Sequence, residues 1–168
     1  MAWSTSAIFQ QAMLNPIAGR CWTTAAPTTY SSLSADSIKV ALFGANSPDK
    51  TATAVNTGYS NGVWTTGNEV TSANWAAGGI ALTSKAFAID TGSSSICFTA
   101  ANTPGGGTVT LTAFYGCLVY DSTITVPASQ GLCFNYFGGS QTVTAGTFTI
   151  LWATPAGAAV TAVFNISV

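Results

Sequence analysis

Thr108-Val-Thr-Leu-Thr-Ala-Phe-Tyr-Gly-Cys-Leu-Val-Tyr120 is the stretch on which the fold turns. It is rich in β-branched and aromatic residues, the types that fit a pleated, half-buried surface. It also follows Asn102-Thr-Pro-Gly-Gly-Gly107, whose Asn, Pro and Gly are turn formers, so a long strand is predicted here. Outward from it toward the C-terminus, Leu132 to Phe137, Thr147 to Trp152 and Ala159 to Val168 read as strands, separated by Gly138-Gly139 and by Pro155-Ala156-Gly157. Toward the N-terminus, Ile80 to Ile89 and Ser95 to Thr99 flank Asp90-Thr91-Gly92, which has hairpin-turn chemistry. Ile38 to Phe43 is a compact apolar strand, and residues 45–61, with Ser47-Pro48-Asp49, form a polar loop. That loop is too long for an idle connection and is a candidate for contact with a partner. About eight short strands with glycine or proline turns between them predict an all-β fold, a single antiparallel β-sandwich or jelly-roll-like barrel. No repeat of solenoid or propeller length is evident.

Near the start the period is different. Ser4, Thr5 or Ser6 can cap a run in which Ile8 and Ala12, then Phe9 and Met13, recur four residues apart, and Asn15-Pro16 stops it. This spacing predicts a short N-terminal α-helix, either a lid on the core or an arm that grips a neighbour. The chain is thus expected to divide into residues 1–34, the helix and an extended arm, and residues 35–168, the β domain. A length of 168 residues suits one domain with a real core.

Composition narrows the function. Only 5% of residues are Asp, Glu, Lys or Arg against 48% apolar, where an ordinary soluble domain carries about 25% charged residues. A chain this neutral is expected to hide much of its surface against neighbours in an assembly. Its net charge of −1, from charges scattered singly, offers no footprint for a phosphate backbone or an anionic membrane. The longest apolar stretches fall far short of the roughly 20 residues of a spanning helix, and Met1 to Gln11 carry no Lys or Arg for a secretory leader. Neither nucleic acid nor membrane is expected as a partner.

The absence of histidine removes Ser-His-Asp, Cys-His and His-metal arrangements. The five carboxylates, Asp36, Asp49, Glu69, Asp90 and Asp121, could supply a glycosidase pair, but most sit beside turns, where Asp serves local backbone bonds. Glu69, in an otherwise uncharged stretch, is expected to satisfy backbone donors at a strand start. No catalytic residue, metal site or cofactor is expected. Cys21, Cys97, Cys117 and Cys133 lack CxxC spacing. They read first as buried free thiols; if any pair forms, Cys117 with Cys133 is favoured, on two strands that a hairpin could bring together. Trp64, Trp75 and Tyr59 could form a sugar-stacking platform, though such rings more often fill a core or an interface.

Several short motifs occur in an order that resembles a family of small structural proteins of tailed bacteriophage virions. They are Asp36-Ser-Ile-Lys-Val-Ala-Leu-Phe43, Ser47-Pro-Asp-Lys50, Asn68-Glu69-Val70 followed by Trp75 and Gly78-Gly79 with Leu82 after it, and Asp90 to Gly92. Ala113-Phe-Tyr115 through Val119-Tyr-Asp121, Phe137-Gly138 and Phe148 to Trp152 complete the series, which covers roughly residues 5–168. The chain departs from the family pattern at Phe114, where Arg is common, at Tyr136, where Asp is common, and in its four cysteines. The resemblance implies a non-enzymatic virion protein without cofactor, most of all a decoration or cement protein on the assembled head. Its partners would be the major capsid protein or other virion proteins and further copies of itself, with a trimer favoured. A tail tube- or fibre-associated protein is the alternative, and a host-glycan-binding module a second.

Overall fold

The computed structural model describes residues 5–10, 33–125, 128–154 and 161–167. Its elements in chain order are β1 (Ala7–Ile8), β2 (Ile38–Phe43), α1 (Ala54–Thr57), β3 (Ile80–Ala81), β4 (Ala86–Asp90), β5 (Ser95–Thr99), β6 (Thr103–Pro104), β7 (Val109–Asp121), β8 (Gly131–Gly146), β9 (Thr149–Ile150) and β10 (Phe164–Ser167). They form a five-stranded sheet of order β1-β8-β7-β2-β3, a three-stranded sheet of order β10-β5-β4 and a two-stranded ribbon of β6 and β9. Every strand pairing is antiparallel, so the protein is all-β. Among the described residues no helix is long and apolar enough to cross a membrane.

The stretch 108–120 does form a long strand, β7, at the centre of the large sheet between β2 and β8, although β8 is longer, 16 residues against 13, and the β7–β8 pairing shifts register four times. Both faces of this centre are buried, which is why β2 reads as a continuous apolar run rather than an alternating one. Ile38, Val40, Leu42, Cys117 and Val119 face a cluster that also contains Phe98 and Phe164 of the small sheet. Ala41, Phe43, Leu118 and Tyr120 face the opposite way, onto Phe9, Trp64 and Phe134. The segment around Tyr59, Val63 and Trp64 covers that second face, and Phe43 meets Trp64 edge to face at 5.1 Å.

Four local expectations change. Ala7 and Ile8 are strand, paired with Phe134 and Cys133, and the Phe9 amide donates to the Leu132 carbonyl at 3.0 Å. Ile8 packs on one face of the sheet and Phe9 on the other, the alternation of a strand. The expected helix is therefore not formed at Ala7 to Phe9, which join the main sheet; Gln10, which follows, is helical, and the rest of that helix, with Ala12 and Met13, lies outside the described residues. The Ile80–Ile89 run is divided into β3 and β4, with Ser84 between them at φ 51°. Gly138-Gly139 is a bulge within β8, not a turn between strands: Gly116 pairs with Tyr136 and Phe114 with Gln141, so the extra β8 residues loop out. Within Asn102–Gly107, read as a turn, Thr103 and Pro104 pair with Ile150 and Thr149.

Candidate functional site

The Asn68-Glu69-Val70 segment runs beside the end of β2. The Gly44 amide donates to the Asn68 carbonyl and the Val70 amide to the Leu42 carbonyl, each at 2.9 Å, which aims the Glu69 side chain at the turn ahead of β3. There Glu69 Oε1 accepts from the Gly78 amide at 2.8 Å, the backbone role expected of it, and Oε2 accepts from the Tyr59 hydroxyl at 2.6 Å. The Tyr120 hydroxyl donates to the Gly78 carbonyl at 2.7 Å, and its ring stacks on Tyr59 with centroids 4.9 Å apart. Half-burial raises the Glu69 pKa although both hydrogen bonds oppose that shift. Burial, aided by the neighbouring carboxylate, pushes the Tyr59 phenol up to about 12. Gly79, at φ +70°, leaves no space for a side chain, because a Cβ would overlap the Val40 carbonyl. Asn68, Glu69, Gly78 and Gly79 thus form one clasp with Tyr59 and Tyr120, fastening the covering segment to the sheet.

The other motif positions lie elsewhere. Trp75 is buried against Phe148, with centroids at 5.2 Å, and its indole Nε1 has no hydrogen-bond partner among the described residues. Trp152 is also buried, its Nε1 donating to the Ala101 carbonyl at 3.0 Å and its amide to Asn102 Oδ1 at 3.3 Å. Phe137 meets Phe114 at 5.9 Å and Phe148 at 6.4 Å, just before the bulge at Gly138, whose φ is +82°. These rings floor a cleft of about 370 Å³, rimmed by Gln141, Thr149 and the 71% exposed Leu151. The cleft has no titratable lining group, so it offers apolar contact and the neutral hydrogen-bonding groups of Gln141, Thr142 and Thr149. A smaller cleft of about 220 Å³ lies along the 45–61 loop, between Asp49 and the edge of Trp64. There Asp49 Oδ1 accepts from the Thr51 amide and hydroxyl at 2.8 and 2.7 Å, which holds its carboxyl below its ordinary value.

The expected sugar platform is not on the surface. Trp64 and Trp75 are almost wholly inaccessible, and Tyr59 is engaged in the clasp, so no stacking face is presented. Cys97, Cys117 and Cys133 are buried free thiols. Cys117 lies opposite Asn135, and Cys133 opposite Val119, so the favoured Cys117–Cys133 pair is diagonal across the ladder. Diagonal neighbours stand about 7 Å apart, beyond the Cβ separation a disulfide needs. Burial pushes Cys117 up to about 12 and Cys133 well above its ordinary value, which keeps both as inert thiols. Cys21 lies outside the described residues.

Sequence reading missed one pairing of acids. Because Ile38 pairs with Asp121, Asp36, two residues earlier, comes within hydrogen-bonding reach of the Asp121 carboxyl. Both are buried, and Oδ2 of each lacks a conventional donor. Burial foremost, with Asp36 beside it, raises Asp121 to about 6, while the Thr123 amide, 2.8 Å from Asp121 Oδ1, works against the rise. Burial beside a second carboxyl thus favours the protonated form of Asp121. No cluster of three or more Cys, Asp or Glu able to hold a metal occurs among the described residues. Only the strand register brings the two together, and no local sequence signal marks it.

Comparison of the chain with known protein families, curated proteins and solved structures finds no match. The geometry of these residues is therefore read on its own terms.

Proposed function

We propose that this chain is a non-enzymatic structural subunit of a bacteriophage virion, and within the particle a decoration or cement protein that binds the assembled head. The observation that carries the reading is a surface almost without charge, 5% of residues, that leaves Phe87, Ile89, Ile96 and Leu151 open to solvent. Such a surface suits a protein that spends its working life covered by neighbours. The collinear motifs that resemble small tailed-phage virion proteins support the same class. The aromatic cleft suits it too, since it offers burial without reactive groups. As architecture we propose a β-sandwich, in which the five-stranded and three-stranded sheets share the core containing Leu42, Val119, Phe98 and Phe164.

The mechanism is linkage. A protein that engages only the assembled shell stabilises it by RT ln(1 + [L]/Kd) for each occupied site, with no chemistry required. Adding the purified protein to heads that lack it should raise the temperature of shell disruption in a saturable manner. Heads whose disruption temperature is the same at every concentration would refute the cement role. A second reading, a tail tube- or fibre-associated subunit, uses the same uncharged surface and would show binding to isolated tails and no effect on heads.

A further inference from the structure

The three-stranded sheet ends on β4, and among the described residues β4 pairs only with β5. Edge strands are normally guarded by proline, by charge or by a bulge. Residues 86–89 of β4 carry neither proline nor charge, and the β4–β5 register runs without a shift from Ala86–Thr99 to Asp90–Ser95. Ile89 is 81% exposed, Phe87 48% and Ile96, the cross-strand partner of Ile89, 38%. They form one apolar stripe along the open edge.

The backbone at this edge also faces outward. The Phe98 carbonyl accepts from the Val163 amide at 2.8 Å, so Phe98 turns its backbone groups toward β10 and away from β4. In an antiparallel ladder these directions alternate residue by residue. Phe87 and Ile89, opposite Phe98 and Ile96, therefore direct their N–H and C=O groups to the open side. The Ala86 carbonyl, which accepts from the Thr99 hydroxyl at 3.2 Å, faces β5 as the alternation requires.

We propose that β4 is a pairing edge for a second copy of this chain, joined antiparallel across a two-fold axis through Ala88 so that Phe87 of each copy lies opposite Ile89 of the other. Two observations favour a second copy as the occupant. In this register the outward N–H and C=O groups of Phe87 and Ile89 meet those of Ile89 and Phe87 across the axis, which satisfies both sets. The side chains then form aromatic–β-branched cross-strand pairs, a favourable class, repeated by the symmetry of an isologous contact. The apolar stripe offers roughly 300 Å² per copy, well under half of the roughly 800 Å² that a stable pairwise interface buries on each side. The contact is accordingly weak for two isolated chains and strong where many copies are gathered. It is independent of the virion reading, since any protein with this edge would pair in the same way.

The test combines sedimentation velocity with hydrogen exchange across a concentration series of the full chain. The mass should rise with concentration, and the Phe87 and Ile89 amides, open in the single chain, should slow in parallel. Ile89→Lys, at a site exposed enough to leave the fold intact by circular dichroism, should weaken association by about tenfold or more. Thr144→Lys, at an exposed site on β8 away from β4, should leave association unchanged. Amides that exchange freely at every concentration, or an Ile89→Lys mass curve that matches the parent, would overturn the proposal. Protection that appears only on adding another particle protein would overturn the second copy as partner and assign the edge to a foreign strand.

Discussion

Replacing Asp121 with Asn should make the protein more stable at neutral pH, against the usual outcome of altering a buried charge. Asp121 sits at about 6 in the folded chain against an ordinary value of 3.8. Between those values the folded chain holds a proton that the unfolded chain has released. Stability from this group is fully present below pH 3.8, falls as pH rises, and is lost above about 6. A rise of about two units sets a ceiling of about 3 kcal/mol on that loss. An Asn at 121 keeps an oxygen to accept from the Thr123 amide and gains an N–H for Asp36 Oδ2, which has no donor now. Urea unfolding at pH 4 and pH 7.5 measures the effect. The two proteins should be close in stability at pH 4, with the Asn variant ahead by about 2 kcal/mol at pH 7.5. Glu69, also raised by burial, leaves a residual slope of the same sign in the variant. A variant less stable than the parent at pH 7.5, or one with an unchanged slope, would refute the raised Asp121 pKa.

Other consequences of the structure are open to direct measurement. Tyr59→Phe removes the 2.6 Å bond to Glu69 and should cost about 1–2 kcal/mol, as expected for a bond to a charged acceptor, read by denaturant midpoint at constant slope. Gly79→Ala, which drives a Cβ into the Val40 carbonyl at positive φ, should cost more than about 2 kcal/mol and lower the melting temperature accordingly. Trp64→Ala should cost about 3–5 kcal/mol because the ring fills the core; a fully stable variant would show that the ring is dispensable to packing. Cys97, Cys117 and Cys133 should react with a thiol reagent only as the chain unfolds, since all three are buried, and labelling of these residues in the native protein at the rate of free cysteine would contradict their burial.

Much of the fold was legible because its signals are local. Ile38–Phe43 and Ser95–Thr99 emerge with the expected bounds, since a dense apolar run and a strand bounded by turn residues need little context. The Asp90 turn also appears as read, with the Asp90 carboxylate accepting from the Gly92 amide and the Ser93 hydroxyl. Expectations failed where tertiary pairing overrides a local pattern. Ile8 and Phe9 carry a four-residue spacing that suits a helix, yet the open edge of β8 captures Ile8 as strand and holds the Phe9 amide, so that helix is met only from Gln10. Gly138-Gly139 has turn chemistry, but the partner strand continues past it and the glycines become a bulge. The candidate site divides in the same way. The role of Glu69 as an acceptor from backbone followed from its isolation in an uncharged stretch, whereas the Asp36–Asp121 contact and the open β4 edge depend on register and sheet order, which no short window of sequence contains.

The central claim, a structural role in the virion, is tested most directly by separating purified particles into heads and tails and quantifying this chain in each by mass spectrometry. The account predicts recovery with heads in a fixed ratio to the major capsid protein. Recovery with tails would contradict the head-surface role, and absence from both fractions would contradict the virion role itself.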